Sequence, residues 1–208
     1  MTAPVDALIA DQWATLRAWV ERPDVLAHLD QPSVLDGWTV ADLIAHVGRS
    51  FTTLAGVEPA DGIPLTLRAY VATYPDAADE IAEGTRTLAA ELSTDLLPGI
   101  DRLAADGLAR LAALNATVVR ARRGLISRDD FAMTRLVEVV VHADDLARSV
   151  TVDAPSPLLA EAVVAVSDAL SDAYLDATGN QNTHGDGIAW IRLAAGRTAS
   201  DDPALPLL

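Results

Sequence analysis

Residues 135–148 read RLVEVVVHADDLAR, and the side chains of this stretch decide the architecture. Leu136, Val137, Val139, Val140 and Val141 surround Glu138 and His142, which stand four positions apart. On a helix that spacing brings both side chains to one face, and on a strand an even separation would do the same. Arg135 and Asp145 extend the line at steps of three, giving Arg135, Glu138, His142 and Asp145 along an element otherwise apolar nearly all round. Such an element is expected to be buried. A buried carboxylate is costly unless a charge or a metal compensates it, so the stripe asks for a partner elsewhere in the chain.

Four histidines are present. His46 follows the run Trp38-Thr39-Val40-Ala41-Asp42-Leu43-Ile44-Ala45 among apolar neighbours and is the best third member of the set. His46, Glu138 and His142 would make a two-histidine, one-carboxylate site suited to zinc or another divalent ion, with positions left open for water or substrate. Asp145 could then orient a ligand imidazole or hold a bound water. The residues alone leave other readings open. A Glu and a His four apart on a helix are commonly a hydrogen-bonded pair, and Arg135 could satisfy Glu138 as an ion pair. His28 and His184 read as surface residues without a role, and Trp38 as a core anchor ahead of a substrate platform. The patch Arg120, Arg122, Arg123 usually marks a solvated turn, but guanidinium forks could also hold an anionic substrate carboxylate.

Outward from this segment the periodicity is helical almost throughout. Leu8, Ile9, Trp13, Leu16, Trp19 and Val20 recur at three- and four-residue steps over 5–20, with Pro23 closing or interrupting the helix. Thr39 and Asp42 have capping-box spacing and open a second helix at Val40, which ends near Gly56. Helices are expected over 76–92 and 100–114, with Pro75 and Pro98 as the breaks ahead of each. Thr117 to Arg123 reads as a connector, and Ser127 with Asp130 caps the long helix 131–150. Pro155 and Pro157 open a further helix to about Thr178, 179–185 is a polar linker, and 186–195 is a last short helix stopped by Gly196. With scant strand alternation, the expected fold is all-α, an antiparallel bundle over 1–178 with a short C-terminal appendage over 179–208.

Composition sets the boundaries. The 208 residues, half of them hydrophobic, suffice for a real core, and 15 basic against 30 acidic residues leave a net charge of −15. That surface repels phosphate backbones and acidic membranes, so neither nucleic acid nor membrane is expected as a partner. Cysteine is absent, which excludes a disulfide framework, a thiolate metal site and a cysteine nucleophile. No basic leader and no membrane-length apolar run occur, which reads as a cytoplasmic protein, a monomer or small homo-oligomer. Every basic residue is Arg, as a GC-rich genome would give. A phosphate-binding glycine loop, a dinucleotide fingerprint and a nucleophile elbow are all missing.

Taken together, Leu35-Asp36-Gly37-Trp38-Thr39-Val40-Ala41-Asp42-Leu43 leading to His46, then Arg135-x-x-Glu138-x-x-x-His142-x-x-Asp145-Leu146, resembles the mycothiol-dependent maleylpyruvate isomerase family of DinB/YfiT-like metal-binding four-helix bundles. The resemblance covers roughly 5–178 and implies that His46, Glu138 and His142 are metal ligands, with zinc the first expectation. The tail Trp190-Ile191-Arg192-Leu193-Ala194-Ala195-Gly196-Arg197 is similar to the helix that closes longer members, whose sheet-forming length has no counterpart here. By the same resemblance Asp145 and Arg197 join the catalytic set, Arg197 matching an arginine important for activity. The implied chemistry is activation of a low-molecular-weight thiol, mycothiol in actinobacteria, by the metal. Its thiolate would add to the double bond of a cis-enedioic substrate, and rotation and elimination would return the trans isomer. Thiol transfer to a small electrophile is the related possibility. A non-catalytic metal- or small-molecule-binding bundle and a purely structural helical protein are the alternatives.

Overall fold

The computed structural model describes residues 3–208. Met1 and Thr2, the first two positions of the expected bundle, lie outside the described residues. In chain order the elements are α1 (Val5–Val20), α2 (Pro23–Leu26), α3 (Val40–Ala55), β1 (Glu58–Pro59), α4 (Leu67–Val71), a 3₁₀ turn (Pro75–Ala77), α5 (Ala78–Glu91), α6 (Leu96–Ala113), β2 (Val118–Ala121), β3 (Gly124–Ser127), α7 (Arg128–Ser149), α8 (Ala160–Thr178) and α9 (Gly187–Ala194). The molecule is mostly helical, with one small sheet. Among the described residues no helix is long and apolar enough to cross a membrane.

The helix starts obey local chemistry. Thr39 and Asp42 form the capping box: Thr39 Oγ1 accepts from the Asp42 N–H at 3.1 Å, and Asp42 Oδ2 accepts from the Thr39 N–H at 2.9 Å. Ser127 caps α7 by accepting the Asp130 N–H at 3.0 Å. Pro98 does not break α6 but falls within its first turn, where a missing N–H costs nothing, so the helix begins four residues before the expected Ile100. Pro23 likewise opens the short α2 instead of ending the chain's helical course.

α7 is the central element. Leu136, Val139, Val140, Ala143 and Leu146 are completely buried. It packs on α1, α3 and α8, while α3 packs in turn on α5 and α6. Gly107 of α6 sets the α3–α6 approach, because a Cβ there would fall 2.5 Å from the Phe51 carbonyl oxygen. α9 rests on α8 and closes the core with Trp190 and Ile191.

The all-α expectation needs one correction. Residues 118–127, which take in most of the expected 117–123 connector, form a β2–β3 hairpin joined antiparallel by β1 in the order β1-β2-β3. The two-residue turn Arg122-Arg123 joins β2 to β3, and Val119 pairs with Ile126, both fully buried. Strands of four residues are too short for alternation to register in a sequence, and this one cross-strand apolar pair suffices to fasten them to the core. His184 is also not a free surface residue. Its ring stacks on Trp190 at 5.8 Å and 3°, and its Nε2 lies 2.8 Å from Asp202 Oδ2.

Candidate metal centre

His46 on α3 and Glu138 and His142 on α7 converge, with one ligand-type atom of each lying within 4.8 Å of the others. Both imidazoles turn Nε2 toward the same carboxylate oxygen: Glu138 Oε2 is 3.4 Å from His46 Nε2 and 3.3 Å from His142 Nε2. The two rings meet edge to face at 4.5 Å. Arg135 forms no ion pair with Glu138 among the described residues; its Nε and Nη2 donate to Thr134 Oγ1 and the Tyr74 hydroxyl. The carboxylate is therefore left to the histidines.

The outer nitrogens fix the tautomers. Thr85 Oγ1 donates its only proton to the Ile81 carbonyl at 2.8 Å, so it can only accept from His46 Nδ1–H at 3.0 Å. His142 Nδ1 donates to Asp145 Oδ2 at 3.1 Å. In the neutral form of each ring the proton is thus held on Nδ1, and the Nε2 lone pair points inward beside a carboxylate oxygen. This donor set, with an oxygen partner behind each imidazole, fits a divalent cation.

Electrostatics agree with the geometry. Burial, reinforced by the nearby His142, pushes the His46 pKa down to about 4, so this ring is neutral at physiological pH. Burial also disfavours ionisation of Glu138, yet the facing imidazoles of His142 and His46 and the nearby Arg135 outweigh it and hold the carboxyl well below its ordinary range. Burial opposes charge on His142, but hydrogen bonds to Asp145 and Glu138 prevail and raise its pKa. Asp145, completely buried, is held at about 2 because its hydrogen bonds from His142 and Arg197 overcome the cost of burial.

Behind the triplet stands a second line of charges. Arg197 grips Asp145 through Nε at 3.1 and 3.2 Å and through Nη2 at 2.9 Å. The preceding residue, Asp144, receives a bidentate pair from Arg192 of α9 at 2.8 and 2.7 Å. Successive acids of α7 are thus held by the C-terminal segment. Asp145 lies behind His142, and Arg197 lies behind Asp145 while also lining the adjoining cavity.

That cavity has a volume of about 510 Å³ and is bounded by Trp38, His46, Glu138, His142 and Arg197, with the C-terminal Leu208 at its wall. Trp38, read from sequence as a core anchor, is half-buried and presents its ring edge-on to His46 at 5.0 Å. A larger hollow of about 910 Å³, lined by Pro59, Asn115 and Arg128, includes none of the triplet. Thr85 and Tyr74 were not singled out by sequence reading. Thr85 lies in an Ala-rich helical stretch whose only irregular feature is the adjacent Gly84.

No curated protein and no solved structure matches the chain. A family model described as the mycothiol maleylpyruvate isomerase N-terminal domain matches residues 9–147. That match takes in well over half of the 208 residues and spans all three convergent side chains. The chain therefore belongs to the mycothiol maleylpyruvate isomerase N-terminal domain family.

Proposed function

We propose that the protein is a divalent-metal, thiol-dependent isomerase or S-transferase acting on a small electrophile, with mycothiol as its thiol and maleylpyruvate isomerase as its nearest functional pattern. One observation carries this reading: two imidazole Nε2 atoms and a carboxylate oxygen converge with their outer nitrogens already committed, on the wall of a 510 Å³ cavity. A bound divalent ion, zinc first, would lower the pKa of a coordinated thiol so that thiolate forms at neutral pH.

The chain's own residues would do the rest. His46 and His142 would present Nε2 to the ion, His142 giving up its second proton as it binds, Glu138 would supply an ionised oxygen, and Thr85 and Asp145 would keep both rings in register. Arg197 fixes Asp145 and contributes to the cavity wall, and Trp38 gives that wall an apolar face. The same reading takes α1, α3, α6 and α7 as the four-helix bundle, supported by α1 and α3 each packing on both α6 and α7. It keeps 179–208 as an appended segment.

Elemental analysis of the full chain, followed by assays with zinc, mycothiol and a panel of electrophiles led by cis-enedioic acids, tests the proposal. Turnover should require both ion and thiol and disappear in His142→Ala. Full activity in that variant would refute it. Stoichiometric ion with no thiol-dependent turnover across the panel would instead favour a non-catalytic metal-binding bundle.

A further inference from the structure

The polar line of α7 contains one residue that the proposed function leaves idle. Arg135 is 7% exposed and forms no ion pair among the described residues. Its Cζ lies 5.6 Å from the centroid of the Phe131 ring, its Nε donates to Thr134 Oγ1 at 3.0 Å, and its Nη2 donates to the Tyr74 hydroxyl. A buried guanidinium with no carboxylate beside it is costly. Its one hydrogen-bond partner from outside α7 is Tyr74.

Tyr74 stands in the turn ahead of α5 and lines both the 510 Å³ cavity and a smaller one of about 70 Å³. His46 and Glu138 line both cavities as well, so the phenol lies where the two adjoin at the triplet. A guanidinium donates hydrogen bonds and accepts none, so the Tyr74 oxygen is the acceptor in its bond with Arg135 and the phenol keeps its own proton to give. The neighbouring hydroxyl, Thr134 Oγ1, already accepts from Arg135 Nε and donates to the Phe131 carbonyl at 2.6 Å. Burial pushes the Tyr74 pKa up to about 12 although Arg135 opposes the rise, so the phenol is protonated at neutral pH. Arg123 adds a second cation over the ring, with Cζ 5.6 Å from its centroid. Arg197, on the same cavity wall, has no such freedom: its Nε and Nη2 are committed to Asp145 and its Nη1 to the Ala195 carbonyl.

We propose that Tyr74 is a catalytic residue whose hydroxyl donates a hydrogen bond to a carbonyl oxygen of the electrophile, with Arg135 as the positioning residue behind it. As the thiolate sulfur forms its bond to the β-carbon, the alkene electron pair moves toward the carbonyl carbon and the carbonyl π pair moves onto oxygen, giving an enolate. The former double bond is then single and free to turn. Return of the pair from oxygen restores the alkene and expels the thiolate, with no proton transferred. The phenol donates more strongly to the enolate oxygen than to the neutral carbonyl, so the bond favours the transition state over the ground state. Arg135 sharpens this difference, because a cation on the phenol oxygen strengthens the donor as charge gathers beyond it. The role rests on the function proposed above for its thiol, but the hydrogen bond to a carbonyl does not.

Infrared difference spectra of acetylacrylate, isotopically labelled at its ketone carbon and bound to the full chain without thiol, test the hydrogen bond apart from turnover. The chain has neither cysteine nor lysine to consume this probe. The bound ketone band should lie at lower frequency in wild type than in Tyr74→Phe, and Arg135→Gln should move it part of the way toward the Tyr74→Phe position. With zinc and mycothiol supplied, Tyr74→Phe should lose about 100-fold or more in kcat, the scale of one missing oxyanion donor, with KM changed far less. The same band position in wild type and Tyr74→Phe would overturn the proposal, as would absence of saturable probe binding. Thiol-dependent turnover indifferent to Tyr74→Phe would overturn it while leaving the proposed function standing. The expected band difference in a protein without thiol-dependent turnover would support the hydrogen bond while refuting that function.

Discussion

Thr85→Val removes one oxygen from behind the site and little else. Valine keeps the shape of threonine, and position 85 is completely buried, so no water can take the place of the lost acceptor. His46 Nδ1–H, now 3.0 Å from Thr85 Oγ1, would be left buried and unsatisfied, or the proton would shift to Nε2 and block the inward lone pair. Either outcome costs about 1–3 kcal/mol. At about 1.4 kcal/mol per decade this is roughly a 5- to 150-fold loss of zinc affinity, overlapping the usual 10- to 100-fold effect of an outer partner of a ligand histidine. Chelator-competition titrations of wild type, Thr85→Val and Thr85→Ser measure it directly. Serine keeps the acceptor and should restore most of the affinity. Wild-type zinc affinity in a folded Thr85→Val protein would refute the tautomer argument.

Zinc affinity should fall as pH is lowered through the raised pKa of His142, above the ordinary histidine range, while His46 adds no further loss until near pH 4. Calorimetry in buffers of different ionisation enthalpy should therefore register release of about one proton, not two, near pH 6. Gly107→Ala should lower the unfolding free energy by about 1–3 kcal/mol in denaturant melts, because the new methyl meets the Phe51 carbonyl at 2.5 Å and α3 and α6 must separate.

The central helix and its polar line were legible because burial and 3.6-residue periodicity make opposite demands on Glu138 and on its neighbours. Only a site or an ion pair reconciles those demands. The capping pairs Thr39–Asp42 and Ser127–Asp130 were legible for a similarly local reason: each is completed within four residues. The hairpin was not, since its hold on the core comes from one pair, Val119 with Ile126, whose partners meet only after the turn. Thr85 was not legible either. Its role arises from α5 lying beside α3, a tertiary fact that leaves no periodic mark on an Ala-rich helix. Arg135 was read as a possible partner of Glu138, but its guanidinium takes the Tyr74 hydroxyl contributed by the turn ahead of α5.

The consecutive acids Asp144 and Asp145 bind the last thirty or so residues to the centre of the molecule through Arg192 and Arg197. A protein trimmed at residue 179 would keep every atom of the imidazole–carboxylate triplet, yet it would leave two buried carboxylates of α7 to share Arg148, 4.0 and 3.7 Å away, in place of the closer arginines of the tail. Asp145 would then recover some affinity for a proton, and the aim of the His142 ring would loosen with it. The tail thus acts as the far end of a lever, and damage there would surface as poor ion retention long before any loss of helical content.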